Sequence, residues 1–464
     1  MNGLMQFMEK YIIPGATKIG TQKHLVAVRD GFVSTMPITM AGSVAVLLNV
    51  FVRDLPREWG WDGFVNSSII QFIIGLNGHI WLGSLAIIAV VFAVTLGANI
   101  AKAYDVDSLS GSIVSLSAFI MGLTQSANLV REVAVGALTQ DAIDVLIEAG
   151  ISVTEAGESL ALGMGGWGFF QFSAHFGAPG LFTALFSGLV AVIVFSKLML
   201  KKLVIKLPES VPPAVARAFA AIVPATIALY LVALINWSFN NFAGMPMITW
   251  IAQTIQEPLI NLSQGFGAVL LLVFLVHLLW FFGLHGTNIL APIFQTLYGT
   301  AMNENVNAHE MGLTIPHNWV AGSFEAFVWP GGAGVTLMLI LAIVVLSKRA
   351  DSKTIGKLAL APGVFNINEP VMFGMPIVLN PIYMIPFIVA PMLTASIAFF
   401  ATHLGFVNPI VVPVLWVMPA GISGFLGTAG DWRAIILTIV NLGVAFLVWA
   451  PFVLAANKMS EENV

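Results

Sequence analysis

The chain has 464 residues, 58% of them hydrophobic and only 9% charged, with a mean hydropathy of +0.92. Soluble domains carry about a quarter charged residues, so a soluble enzyme or binding module is excluded and a polytopic membrane protein is implied. A net charge of −4 gives no basis for a nucleic-acid partner, and zero cysteines exclude disulfides, thiolate metal sites and a phosphocysteine within this chain.

Apolar runs near 20 residues recur without strand alternation, which predicts helical spans. Residues 1–24 lack a signal-peptide core and contain Pro14. Leu4, Met8, Tyr11 and Ile12 share one helical face, which predicts a short amphipathic helix lying on the membrane. Lys10, Lys18, Lys23 and Arg29 put this end in the cytosol by the positive-inside rule. A first span runs from about Phe32 to Phe51, followed by an outer loop with Arg53, Asp54, Arg57 and Glu58. Trp59, Trp61 and Trp81 read as interface anchors. Spans near Trp81–Ile100 and Leu109–Leu123 precede a polar, acidic loop over 125–160. The Gly- and aromatic-rich stretch 163–182 suggests a tight bend or half-inserted segment, and Leu181–Leu198 is the fourth span.

Lys197, Lys201, Lys202, Lys206 and Arg217 then mark a cytosolic loop containing PESVPPAVARAF, 208–219. Pro212 and Pro213 stiffen it ahead of a helix start. It reads both as a linker and as a hinge between an N-terminal half, 1–207, and a C-terminal half, 220–464. No Lys or Arg occurs between Ala218 and Ser347. Spans are expected at about 218–237, 265–284 and 333–347, and parity then requires 286–303 to cross. Lys348, Arg349, Lys353 and Lys357 form another cytosolic loop. Residues 361–381 are broken, 382–403 cross, 406–430 are broken again by Pro409, Pro413 and Pro419, and 434–455 cross. Both broken stretches are expected to be re-entrant. The map has about ten crossings and both termini in the cytosol. It places all nineteen Lys and Arg on the cytosolic side except Arg53, Arg57, Arg131 and Arg433.

The stretch APGVFNINEPVMFGMPIVLNP, 361–381, is the most irregular backbone, with Pro362, Pro370, Pro376 and Pro381 around Asn366, Asn368 and Glu369. Broken backbone at membrane depth survives where protein or a watery cavity satisfies it, and a carboxylate there is costly without a function. It reads as the floor of a solute site, or alternatively as a cytosolic loop with a solvated Glu369. A second stretch, WFFGLHGTNILAP (280–292), favours the site. His285 lies between Gly283 and Gly286, with Asn288 after it. His277, eight residues earlier, is expected to be packed and bonded to a carbonyl. Together His285, Asn288, Asn366, Asn368 and Glu369 supply donors and acceptors without a fixed cation, which suits a neutral polyhydroxylated solute. Trp280, Trp319, Trp329 and Trp416 are near these segments as stacking candidates. P-loop, HExxH, GxSxG and TVGYG patterns are absent, so neither a metal nor a cofactor is expected.

HLVAVRDGFVSTMPITMAGS (24–43), PESVPPAVARAF (208–219), FGLHGTN (282–288) and NINEPVMFGMPIVLNP (366–381) occur in this order along the chain. Their combination resembles the membrane-spanning IIC subunit of bacterial phosphotransferase-system sugar transporters, in the lactose/cellobiose/diacetylchitobiose branch. The resemblance implies a homodimer in the bacterial cytoplasmic membrane. The first half would make the dimer contact and the second half carry the sugar, moving as an elevator about the 208–219 linker. It also implies phosphorylation of the sugar at a 6-hydroxyl by a phosphocysteine on IIB, itself charged from IIA. With no cysteine here, IIB is expected as a separate polypeptide. The motif glutamate and histidine fall on Glu369 and His285, beside the reacting hydroxyl, with Asn368 and Asn288 positioning the ring. Glu369 would accept the hydroxyl proton or, if protonated, serve only as a ligand.

Two other classes compete: a proton-coupled or facilitative sugar carrier with Glu369 as proton site, and a non-transporting receptor or scaffold. A second intramembrane acid, expected for a proton relay, is missing, which argues against the first of these. The branch favours a β-linked disaccharide such as cellobiose, ahead of diacetylchitobiose and lactose.

Overall fold

The fold was analysed in a computed structural model. It describes residues 18, 21–123, 126–134, 138–156, 159–167, 175–208, 210–375, 377–378 and 380–457. The expected surface helix at Leu4–Ile12 and residues 168–174 of the expected bend over 163–182 lie outside the described residues; 163–167 are the end of a strand.

The first half is built from α1 (Lys23–Ser34), α2 (Met36–Asn49), α3 (Ser68–Leu82), α4 (Ile88–Ala103) and α5 (Ser108–Met121). Asp107 caps α5 by accepting from the Ser110 amide at 2.8 Å. Gly97 and Gly111 let α4 and α5 touch backbone to backbone, because a Cβ on either would collide with the other's carbonyl. A three-stranded antiparallel sheet follows: β1 (Ser126–Ala134), β2 (Ser152–Ala156) and β3 (Ser159–Trp167), in the order β1-β3-β2. A short helix, α6 (Gln140–Glu148), lies between β1 and β2. The acidic stretch expected to be a loop is thus a small sheet with one helix; its acid content masked short strands whose pairing is tertiary. The membrane part remains all-α. α7 (Leu181–Leu200) and α8 (Pro213–Ser238) complete this half.

One hydrophobic core joins Phe92, Leu96, Phe119, Ala191, Phe195, Ala228 and Val232. Since Ala228 and Val232 belong to α8, residues 220–238 pack with the first half. The expected boundary at 220 put them in the second. A proline-stiffened helix start breaks the chain locally but does not choose which body the helix joins.

The second half begins with α9 (Glu257–Ser263), which turns into α10 (Phe266–Phe281) with a bend of 75° between Met247–Ser263 and α10. Its core gathers Trp319, Phe324, Phe327, Phe387 and Trp449. Next come α11 (Gly286–Ile289), α12 (Thr300–Glu310), α13 (Thr336–Leu346), α14 (Ala350–Val364), α15 (Glu369–Gly374), α16 (Pro381–His403), α17 (Ile422–Gly427) and α18 (Arg433–Ala456). Val46, Val50, Leu55 and Leu85 of the first half are packed into this second core. Beside them the Arg53 guanidinium bridges Glu310 at 2.8 Å and Asp54 at 2.6 Å, and His309 lies 3.3 Å from Asp54. The two halves therefore meet through both apolar and charged contacts.

Among the described residues, six helices are long and apolar enough to cross a membrane, or seven counting the bent pair. The expected 286–303 span is instead α11, a three-residue turn, a π-helical segment over Phe294–Gly299 and the start of α12. The expected 333–347 span shortens to α13, because Trp329–Val335 is a glycine-rich loop. At about 1.5 Å per residue, eleven residues fall short of a hydrocarbon core about 30 Å thick.

Candidate functional site

Three breaks in the second half converge on one cavity. The first is a helical hairpin, α14 and α15, whose tip is Phe365–Asn368. Asn366 turns the chain there with φ 63°, a left-handed conformation that asparagine tolerates better than other side chains bearing a Cβ. The second is the 406–430 stretch. Its incoming limb is non-helical, Val411 and Val412 donate their amides to the Gly427 carbonyl at 2.8 and 2.9 Å, and α17 forms the return. Trp416 sits at its tip. The third is the Trp329–Val335 loop, where Gly331, Gly332 and Gly334 have positive φ. A Cβ on Gly332 would stand 2.7 Å from the Asn368 side chain, so this backbone approaches the hairpin tip only as glycine.

Side-chain amides fasten these breaks together. Asn366 Oδ1 accepts from the Gly331 N–H at 2.7 Å, and its Nδ2 donates to the Trp416 and Met418 carbonyls at 2.6 and 3.0 Å. Asn368 Nδ2 donates to the Ala333 carbonyl at 3.1 Å. The irregular backbone thereby finds the internal partners it needs away from water.

His285 comes from a fourth break, after α10. Gly286 abuts the Val276 carbonyl so closely that a Cβ would overlap it, and this folds His285 back over Trp280, the two rings 4.3 Å apart. His285 Nδ1 accepts from the Asn288 N–H at 3.3 Å and lies 2.9 Å from Thr287 Oγ1. With Nδ1 accepting, the network assigns the proton to Nε2. His277 is packed as expected, fully buried and bonded to the Val273 carbonyl at 2.7 Å.

The cavity is about 300 Å³, lined by Trp280, His285, Asn288, Glu325, Asn366, Asn368, Glu369 and Trp416, together with the Trp329–Ala333 loop. That is the lower end of the roughly 300–1,000 Å³ range of small-molecule pockets. All six residues singled out in the sequence, Glu369, His285, Asn288, Asn368, Asn366 and Trp416, meet at this one cavity. His285, Asn288, Glu369 and Trp416 are exposed in it, while Asn368 is buried. Of the tryptophans considered, Trp280, Trp329 and Trp416 line the cavity and Trp319 is buried in the core beside Phe324 and Phe399. Among the described residues the Trp280 indole N–H has no partner, and the lining includes no Lys or Arg.

Glu325 was missed. It enters the cavity from the turn before the glycine loop and accepts from Trp329 Nε1 at 3.1 Å. The argument that Glu369 has no second intramembrane acid is therefore corrected. The only local signal was a single carboxylate set among phenylalanines, Phe324-Glu325-Ala326-Phe327.

The fold and site define a multi-pass membrane permease, with a polar, aromatic-walled cavity where interrupted helices meet. The family profile "Phosphotransferase system, EIIC" matches residues 29–391. The cellobiose-specific EIIC component of Lactococcus lactis subsp. lactis (strain IL1403) is 40% identical, the match covering 100% of both chains. The oligo-beta-mannoside-specific EIIC component of Bacillus subtilis (strain 168) is 30% identical over 98% of this chain and 95% of its own. The crystal structure of ChbC, the IIC component of the N,N'-diacetylchitobiose-specific phosphotransferase system, matches with a TM-score of 0.86. It is 30% identical and the match covers 97% of this chain and 98% of that one. The chain belongs to the phosphotransferase-system EIIC family. It is the membrane permease of a group-translocation system, and it translocates sugar for phosphorylation by cytosolic IIB, which is charged through IIA.

Proposed function

We propose that the solute is a β-linked disaccharide, with cellobiose first and diacetylchitobiose and lactose behind it. The observation that carries this is the meeting of His285, Asn288, Asn368, Glu369 and Trp416 at one cavity with no Lys or Arg in its lining. Neutral hydroxyls suit such a lining, and an exposed Trp416 offers an apolar wall for a sugar ring. The substrates named for the similar proteins, cellobiose and diacetylchitobiose, point the same way.

Within this reading, Glu369 accepts the proton of the 6-hydroxyl as that oxygen attacks the phosphorus of the IIB phosphocysteine, forming the new P–O bond while the P–S bond breaks and the cysteine leaves as thiolate. His285 Nε2–H orients that hydroxyl and stabilises developing charge. Asn288 and Asn368 fix the ring, and Trp416 stacks on it. Glu325 and the free Trp280 N–H are further partners for hydroxyls. The protein works as a homodimer with both termini in the cytosol. α5, α13 lengthened by the Trp329–Val335 loop before it, and the broken 286–310 chain join the longer spans as interrupted crossings to give about ten in all. The first half, with α8, is the scaffold. The second carries the sugar as an elevator, with 208–219 and the bent helix pair as its flexible connection.

Binding of radiolabelled cellobiose to the purified dimer tests the substrate. Saturable binding, competed less well by lactose, is expected. Preference for lactose or diacetylchitobiose would move the assignment to that sugar, and no saturable binding of any β-disaccharide would overturn it.

A further inference from the structure

We infer that Asn366 is a positioning residue that holds Trp416 over the cavity, not a group that binds the sugar. The inference rests on the sugar-site reading and assigns one of its residues a different kind of work.

Asn366 lines the cavity, but its amide is almost fully committed elsewhere. Both Nδ2 protons go to backbone carbonyls, Trp416 at 2.6 Å and Met418 at 3.0 Å, and Oδ1 takes the Gly331 N–H at 2.7 Å. An asparagine amide has two donors and two acceptor lone pairs, so one lone pair is left. The orientation is fixed by the partners, since only the NH₂ can face two carbonyls. His285, Asn288 and Glu369 are exposed in the cavity, whereas Asn366 is half-buried and spent on the backbone.

The three carbonyl and amide partners belong to two different breaks, and those breaks carry the cavity walls. Gly331 precedes the Gly332–Ala333 wall, which Asn368 also holds. Trp416 and Met418 belong to the tip of the other hairpin. That tip has its own turn, with the Met418 amide on the Leu415 carbonyl at 2.9 Å. The Asn366 side chain adds two bonds from this tip across to the first hairpin. The exposed indole of Trp416, 50% accessible, thus keeps its place over the cavity through its own backbone and through Asn366. A stacking wall fixed in advance lowers the ordering cost of binding. The consequence is functional: Asn366 sets the affinity for sugar through Trp416, and the phosphoryl-transfer groups are untouched by it.

Asn366→Asp separates the two arms. The carboxylate still accepts from Gly331, but places oxygen against the Trp416 and Met418 carbonyls. Hydrogen–deuterium exchange of the purified full-length protein without sugar should show faster exchange at 412–420 and unchanged protection at 329–335. In the reconstituted phosphorylation assay, KM should rise about tenfold with kcat within about twofold, the pattern of lost uniform binding. In a Trp416→Ala background the same substitution should change KM by less than about twofold, because two residues acting as one unit are not additive. A residue with a merely structural role would not show that coupling. Unchanged exchange at 412–420, or an undiminished tenfold effect in the Trp416→Ala background, overturns the proposal. If Asn366→Asp does not fold, Asn366→Ala must raise exchange at both 412–420 and 329–335, and unchanged exchange there is equally contrary. A wild-type protein that fails to bind the sugar would count against the sugar reading alone, since the exchange measurement contains no sugar.

Discussion

Glu369 and His285 reach the cavity from different backbone breaks, and neither forms an ion pair among the described residues. No structural cation there consumes the Glu369 carboxylate, which leaves it available for the proposed role. Replacing it by Gln keeps the shape and an acceptor oxygen but removes the base. The expected outcome is retained sugar binding with a phosphorylation rate lower by about 10²–10⁴, the usual worth of a positioned general base. Retention of both would show that Glu369 is only a ligand. Measured binding and single-turnover transfer on the same preparation decide this. At this scale the sequence was legible where polarity interrupts apolar surroundings, as at Asn366, Asn368 and Glu369. It was less so at Glu325, because one acid among phenylalanines gives no hint of whether it faces a cavity. The commitment of the Asn366 amide was hidden too, since its partners lie 35 to 52 residues away.

The prolines announced the broken elements, but not how each break closes. The 361–381 stretch closes as a helical hairpin that starts earlier, at Ala350, and the 406–430 stretch as a non-helical limb with one short return helix. At the base of the latter, Asp431 accepts from the Asn408 and Arg433 amides at 2.9 and 3.0 Å and from the Arg433 guanidinium at 2.8 Å. Burial works to raise this carboxyl. The hydrogen bonds from Arg433 and from the Asn408 and Arg433 amides outweigh it and hold the carboxyl below its ordinary 3.8. A carboxyl depressed on folding adds stability above its unfolded pKa and loses it as pH falls through the folded value. Thermal stability should therefore fall on acidification from about pH 5 downward, and Asp431→Asn should remove part of that dependence. Identical pH profiles for the two proteins, from melting curves in one detergent, would contradict the assignment. The glycine loop at Trp329–Val335 escaped notice because its apolar surroundings read as the start of a span, while its positive φ values depend on the hairpin tip packed against it.

Among the described residues, the larger two of three hydrophobic clusters gather different elements: one joins α1, α4, α5, α7 and α8, and the other centres on the second half that carries the cavity. Composition and hydropathy made the membrane class and the ordered spans legible. The membership of α8 was not, because a helix apolar on several faces carries no address for its partner. The contacts of Arg53 and Asp54 with Glu310 and His309 join the two halves, and elevator motion requires them to part. The chain has no native cysteine, so an Asp54→Cys/His309→Cys pair bridged by a short bifunctional reagent is a specific test. Bridging should abolish uptake while sugar binding survives. Undiminished uptake by the bridged protein would contradict the elevator.

If transport and phosphorylation are one process, the decisive measurement uses radiolabelled cellobiose and membrane vesicles holding this protein, with or without IIA, IIB and a phosphoryl donor inside. Internal cellobiose phosphate is expected only when the whole phosphoryl chain is present. Accumulation of unmodified cellobiose without those proteins would contradict it.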